Sequence, residues 1–320
     1  MKNPWKGPRQ LPVTGGFAVE RPLSANKNTG GGGILRRLGF RRRHLGLPLI
    51  RPLIRPFTKA GLIKHGFVAG AEVRTSFFVR VGDKYFQYAL NPRDSIGSIL
   101  YWYSWRAWDS AVVIVFSRWM RGARRIVDLG ANTGFFTLLG AANGSDVVAF
   151  EPNPATFLQL GRNVRLNHFE SRCTLLQLAA GSKAEEVLFY LHDDSTCCSA
   201  VRPAANSTTV QMARVDAVIP LDQRTDLVKV DVEGFEDHVL LGLEGIIRDS
   251  HPRIIFECFR KATAPVVETL LKDNGYRLNW ITPEGSTAPV DRLNVSEYGH
   301  GHHNFAAVFD SVRQSPVTPP

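Results

Sequence analysis

The chain of 320 residues is longer than a single small binding module and large enough to bury a sizeable core without disulfides or metal. At 44% hydrophobic and 21% charged it is not disordered, collagenous or coiled-coil throughout, and four cysteines without paired spacing (Cys173, Cys197, Cys198, Cys258) argue against a disulfide framework or zinc ribbon. The net charge of +10 is local: residues 1–60 hold thirteen Lys or Arg against Glu20 alone, whereas the other 260 hold 26 basic and 28 acidic side chains, so a nucleic-acid partner for the body is not expected.

Residues 1–60 carry seven prolines, a glycine run at 30–33 and arginines at 36, 37 and 41–43. They are expected to form a disordered basic tail with weak affinity for anionic membrane. The apolar stretch 45–57 is interrupted by Arg51 and Arg55, so it matches neither a signal-peptide core nor a membrane span, and a cytoplasmic protein is expected. Residues 61–123 read as an extension. A hairpin is predicted over 77–80 and 85–89, followed by one or two helices within 94–121. Trp102, Trp105 and Trp108 in that region suit a core or the wall of an acceptor site.

Residues 124–312 read as one domain, with a short tail at 313–320. Strands are predicted at 125–129, 147–150, 173–178, 227–232 and 253–258, and helices at 134–142, 154–168, 236–245 and 263–274. Two further strands, 187–191 and 209–213, bracket a polar stretch. Residues 276–281 and 305–309 read as a closing antiparallel pair. Short apolar runs alternating with helical spacing predict an α/β fold with a doubly wound, mostly parallel sheet covered on both faces.

The segment from Val127 to Gly134 follows a strand and opens a helix. In such sheets ligands bind beyond the carboxyl ends of the strands. Gly130 permits a tight turn, Gly134 permits close packing of the helix start, and Asn132 can support the turn or touch the ligand. Asp128 would repel a pyrophosphate and favour an ammonium or sulfonium; S-adenosylmethionine carries both. Glu151 ends the next strand, where an acid accepts hydrogen bonds from ribose hydroxyls, and Pro152 and Asn153 beside it, which start a helix, are taken with it as cofactor-binding residues.

A second set of charges sits at the predicted end of the fourth strand. Lys229, Asp231 and Glu233 alternate, so a continuing strand would point them to one face. Asp231, Glu233 and Glu257 are the candidate catalytic acids, because an alcohol acceptor must lose a proton as it is methylated. Sequence does not choose among them. Glu236 reads as a first-turn acid favoured by the helix dipole. His300, His302 and His303 read as a polar loop, and no metal-ligand set is evident.

The motif series at 127–136, 150–154, Ala179 with Gly181, and Lys229-Val-Asp-Val-Glu-Gly-Phe-Glu236 resembles the FkbM-type methyltransferases. The likeness covers roughly residues 94–260. It implies a seven-stranded Rossmann-like sheet and S-adenosylmethionine-dependent O-methylation of a small-molecule or carbohydrate hydroxyl. It places Asp128, Gly130, Asn132 and Gly134 around the methionine moiety, Glu151 on the ribose and Ala179 by the adenine. Two alternatives stay open: a cofactor-binding scaffold without catalysis, and a dinucleotide-dependent enzyme. Oligomeric state is not legible.

Overall fold

The computed structural model describes residues 51–59, 74–91, 94–191, 199–201, 203–295 and 303–310. The first fifty residues of the basic segment, the pair Cys197-Cys198, His300, His302 and the tail at 313–320 lie outside the described residues. Residues 51–59, expected within the tail, instead form a helix, α1 (Arg51–Lys59), whose Ile54 is buried.

The hairpin forms as predicted. Strands β1 (Thr75–Val81) and β2 (Lys84–Leu90) pair antiparallel around Gly82, whose φ of 62° suits the turn. Alternate residues Phe77, Val79 and Val81 face inward. Helices α2 (Ser95–Trp102) and α3 (Ser110–Trp119) follow, with Asp94 capping α2 through a 2.7 Å bond from the Gly97 amide.

The body alternates as expected: β3 (Arg125–Leu129), α4 (Phe135–Ala142), β4 (Asp146–Phe150), α5 (Pro154–Leu166) and β5 (Cys173–Leu176). Three strands then make a separate small sheet, β6 (Ala179–Gly181), β7 (Glu185–Leu191) and β8 (Asn206–Arg214), in the order β6-β8-β7. After α6 (Val215–Val218) come β9 (Leu227–Val230), α7 (Glu236–Gly242), α8 (Glu244–Ser250), β10 (Arg253–Glu257), α9 (Ala264–Asp273), β11 (Tyr276–Ile281), β12 (Thr287–Pro289) and β13 (Asn304–Phe309). The predicted helix over 236–245 is two helices, α7 and α8, meeting at Leu243.

The main sheet has the order β12-β11-β13-β10-β9-β3-β4-β5. Among the described residues it therefore has eight strands rather than seven, because the short β12 adds to the edge of β11. Strands β10, β9, β3, β4 and β5 run parallel, and β13 is antiparallel to both β10 and β11. From β3 the chain moves outward to β4 and β5, then returns to lay β9 on the other side of β3. This reversal opens a crevice beyond the carboxyl ends of β3 and β9.

The expected boundary at 124 is not a break in packing. One hydrophobic core joins Phe77, Phe86, Trp102 and Phe116 of the extension to Ile126, Phe135 and Leu160 of the body. Phe135 stands edge-on to both Phe86 and Trp108, with centroids 5.6 and 5.1 Å apart. A second core fills the opposite face of the sheet beneath α7, α8 and α9.

Helix α5 adds a polar tie. Leu160 and Val164 are buried as its apolar spacing suggests, but Leu158 is 60% exposed. On the hairpin side stand Gln159, Asn163 and the C-cap Asn167, one helical turn apart. The Asn163 amide oxygen accepts from Ala89 N at 2.8 Å, Asn167 accepts from Gln87 N at 2.6 Å and donates to Gln87 O at 2.7 Å, and Gln159 donates to Ala89 O. Asn163 also donates to Thr133 O at 2.7 Å, linking the hairpin to the turn after β3.

Candidate active site

The turn after β3 is folded by left-handed residues. Gly130, Asn132 and Gly134 have φ of 81°, 52° and 98°. Asparagine tolerates this conformation better than most side chains, and here its Oδ1 accepts from Thr133 N at 2.7 Å. The register of β3 with β9 brings Asp231 N to 2.9 Å from Leu129 O. A Cβ at Gly130 would lie 1.8 Å from the Asp231 carbonyl oxygen. Glycine is thus required for approach to backbone rather than to a ligand. A Cβ at Gly134 would lie 2.5 Å from Leu160, as its predicted packing role demands.

Beyond this turn lies a cavity of about 410 Å³, within the usual range for small-ligand sites. Its apolar lining includes Ala179, Ala180, Phe189 and Phe235. Gly130, Asn132, Glu151 and Pro152 line it as well. Ile99 and Trp108 also line it, with Lys229, Asp231 and Glu233. The tryptophans therefore divide: Trp102 and Trp105 are core, whereas Trp108 is a wall of the site.

Glu151 is 6% exposed, and its two oxygens accept from Asn132 N and Asn153 N, each at 2.9 Å. Burial pushes its carboxyl up to about 7, against the pull of those two amides. Asn153 does not line the cavity; its side chain caps α5 through Ala155 N at 3.0 Å. Asp128 and Gly134 also stand behind the cavity wall. Asp128 is 1% exposed and accepts the Thr137 hydroxyl at 2.6 Å in the first turn of α4. Its other oxygen is buried without a hydrogen-bond partner. Burial raises the pKa of its carboxyl, with Lys229 and Thr137 opposing.

The acids after β9 do not continue a strand. The strand ends at Val230, and Glu233 and Gly234 turn the chain with φ of 55° and 101°. The single face predicted from alternation is replaced by a folded loop, held by Ser199 Oγ on Glu233 O at 2.9 Å and Arg260 on Gly234 O at 2.8 Å. The loop still brings the predicted residues together. One oxygen each of Asp231, Glu233 and Glu257 lie within 4.8 Å of one another. Oxygen atoms so gathered are the donor type a hard divalent cation takes, a set that sequence spacing did not show.

Lys229 is 4% exposed, lies 2.8 Å from Asp231 and sits 4.6 Å from the centre of the Phe136 ring. Burial pulls its ammonium down, but Asp231 and Asp128 outweigh that and leave it above the ordinary lysine value. Glu257 is pushed up to about 9 by burial and then by Asp231, Glu233, Glu236 and Asp109. Two of these were missed as site residues. Glu236 stands in the first turn of α7 as expected, but it is fully buried there, accepts from Gly234 N at 2.8 Å, and is pushed by burial to about 7. Asp109 stands at the start of α3 and is pushed to about 7 by burial and then by Asp231. It lies 122 residues from Asp231 in sequence, so no local pattern signals it.

A doubly wound sheet with its cavity at the reversal point, a glycine turn and a buried strand-end acid is the layout of the Rossmann-like methyltransferases. A family profile described as "Methyltransferase FkbM domain" matches residues 128–278. "Methyltransferase 1" of Beauveria bassiana (strain ARSEF 2860) is 30% identical over 193 residues, covering 50% of this chain and 76% of that protein. "Methyltransferase sdnD" of Sordaria araneosa is 31% identical over 188 residues, covering 47% and 73%. Among solved structures, methyltransferase FkbM from Methylobacillus flagellatus KT superposes with a TM-score of 0.40 at 19% identity, covering 58% of this chain and 43% of that one. The chain belongs to the FkbM methyltransferase family and is a methyltransferase. Among the described residues no helix is long and apolar enough to cross a membrane.

Proposed function

We propose that the enzyme transfers the methyl group of S-adenosylmethionine to a hydroxyl of a small-molecule or carbohydrate acceptor. The observation that carries this reading is the convergence of Glu151, Asp231 and Glu233 on one cavity, with Glu257 gathered against the last two. Glu151 is fixed by two backbone amides where a ribose would lie, and the alanine and phenylalanine walls suit an adenine. Three lining acids against one lysine favour a cationic ligand over a pyrophosphate. The cofactor supplies an activated methyl group on a sulfonium. Positioning and alignment then provide much of the rate.

The acceptor oxygen forms a bond to the methyl carbon as the carbon–sulfur bond breaks, leaving a neutral thioether. The hydroxyl proton passes to Asp231, whose charge is backed by Lys229 at 2.8 Å. Burial and the neighbouring carboxylates push Glu257 up to about 9, which favours its protonated form at neutral pH and leaves Asp231 as the acceptor of the hydroxyl proton. Calorimetric titration with S-adenosylhomocysteine tests the cofactor assignment: the parent binds, and Glu151→Ala loses binding. Transfer of labelled methyl to a panel of sugars and hydroxylated metabolites tests the reaction, with Asp231→Asn keeping the ligand but losing turnover. Parent protein that does not bind sinks the cofactor assignment. Binding without transfer to any acceptor supports the non-catalytic scaffold.

A further inference from the structure

Two parts of the cavity wall come from separate stretches of chain. The turn after β3 supplies Gly130 and Asn132, and α2 supplies Ser95, Ile96 and Ile99. Tyr88 of β2 does not line the cavity, yet it is fully buried against both. Its hydroxyl is hydrogen-bonded to the buried hydroxyl of Thr133 in the turn. Thr133 follows Asn132, whose amide holds Glu151 at 2.9 Å, and its own carbonyl accepts from Asn163 at 2.7 Å. On the other side the tyrosine ring closes on the first turn of α2. A Cβ at Gly97 would lie 2.9 Å from Cε1 of Tyr88 and 2.5 Å from the Asp94 carboxylate that caps the helix, so glycine lets ring and cap meet there. Burial, and after it the Asp94 carboxylate, hold the phenol well above its ordinary value, so the hydroxyl keeps its proton at neutral pH. The strand beneath is fixed, because Asn167 and Asn163 bond the main chain of Gln87 and Ala89 on either side.

We propose that Tyr88 is a positioning residue: it locks the α2 wall to the turn, so that a ligand seated on the turn orders α2 and sets that wall for the second substrate. A packed ring on one side and a buried hydroxyl pair on the other form a contiguous path of the kind that carries coupling between sites. Tyr88 acts through Thr133 and through the first turn of α2, and reaches no reacting atom itself. Removing its hydroxyl leaves the ring against Phe77 and α2 but takes away the Thr133 partner in a buried place. The effect of the ligand rests on the reading of the turn as the donor site; the tie between turn and α2 does not.

Hydrogen exchange at the α2 amides of residues 98–102 tests this, in the full chain with and without saturating S-adenosylhomocysteine. In the ligand-free protein Tyr88→Phe should speed that exchange about tenfold, Thr133→Val should do the same, and the double variant should be no faster than either, because each removes the same contact. In the parent the ligand should slow the exchange by about fivefold or more, and in Tyr88→Phe by less than about twofold. If Tyr88→Phe melts early, Thr133→Val takes its place with the ligand. Tyr85→Phe, at a 59% exposed tyrosine on the same strand, should match the parent throughout. A tyrosine that only holds the core together would speed the exchange but leave the effect of the ligand intact. A ligand that slows α2 equally in the parent and in Tyr88→Phe, a ligand that binds the parent without slowing α2, or a double variant in which the two effects multiply would each overturn the proposal. A parent that does not bind the ligand overturns the donor assignment instead, and the ligand-free cycle then decides the tie by itself.

Discussion

Replacing Lys229 with methionine isolates the electrostatics of the site. Methionine fills a similar apolar volume beside Phe136 but removes the ammonium that lies 2.8 Å from Asp231 and offsets the buried Asp128. Removing one partner of a buried ion pair typically costs about 3–5 kcal/mol, because the other charge is left without compensation. The lower end applies here: the Asp231 side chain is 34% exposed and keeps part of its hydration, whereas Asp128 is 1% exposed and does not. The loss should depend on pH, with a determined sign. Lys229 lies above its ordinary value, so its contribution is fully present below about 10.4 and constant across neutral pH. Asp128 is raised by burial, so the folded state prefers its proton, and stability falls as pH rises from about 3.9 through the folded value. Without Lys229 that folded value climbs further and the fall continues to higher pH. Urea unfolding should therefore show a deficit of about 3 kcal/mol near pH 8 and a smaller one near pH 5. Adding Asp128→Asn should recover much of it. A deficit below about 1 kcal/mol, or one equal at both pH values, would refute the reasoning, since a surface pair behaves that way.

Two further outcomes follow from the same geometry. Gly130→Ala combines a φ of 81° with a Cβ 1.8 Å from the Asp231 carbonyl oxygen, a backbone atom that cannot swing aside, so the turn must separate from β9. Unfolding should show a loss of at least ~2 kcal/mol with weakened ligand binding, and a variant as stable as the parent would count against the turn as described. On the cofactor reading, affinity for the sulfonium donor relative to its neutral thioether should rise by about tenfold from pH 6 to pH 9. Glu151, near 7, and Glu257, near 9, lose protons in that window and add negative charge, which favours the cation. Paired titrations of the two ligands measure this, and a flat ratio would show that these carboxyls do not sense the sulfonium.

The parts of the fold legible in sequence are those set by local rules. The apolar runs of β3, β4, β9 and β10 announce central parallel strands, and Gly130 and Gly134 announce a turn that other residues cannot make. Glu151 is legible because a charge ending a buried strand needs a reason. Asp231 and Glu233 were found through an alternation that does not exist: the strand stops at Val230, and Glu257 completes the group only because β10 lies beside β9. Asp128 looked like a ligand contact, yet its carboxylate is turned into the first turn of α4 by Thr137, a contact nine residues away that periodicity does not reveal. Asp109 and the buried state of Glu236 were invisible because both depend on which distant segments pack over them. So was the helical character of residues 51–59, where Pro52, Pro56 and three basic residues in nine mask an amphipathic repeat.

The amides of α5 have a consequence for the protein in solution. Among the described residues strand β2 pairs with β1 on one side only, and a strand with a free side offers unmet N–H and C=O groups that invite pairing with another molecule. Gln159, Asn163 and Asn167 bind those groups at Gln87 and Ala89, so a helix does the work of a third strand while presenting no main-chain template of its own. The hairpin is closed to strand addition from that side. A chain in which these amides become alanine would have that edge open to self-association and would also lose the Asn163 bond to Thr133 O, so aggregation on concentration is expected together with a loosened turn after β3.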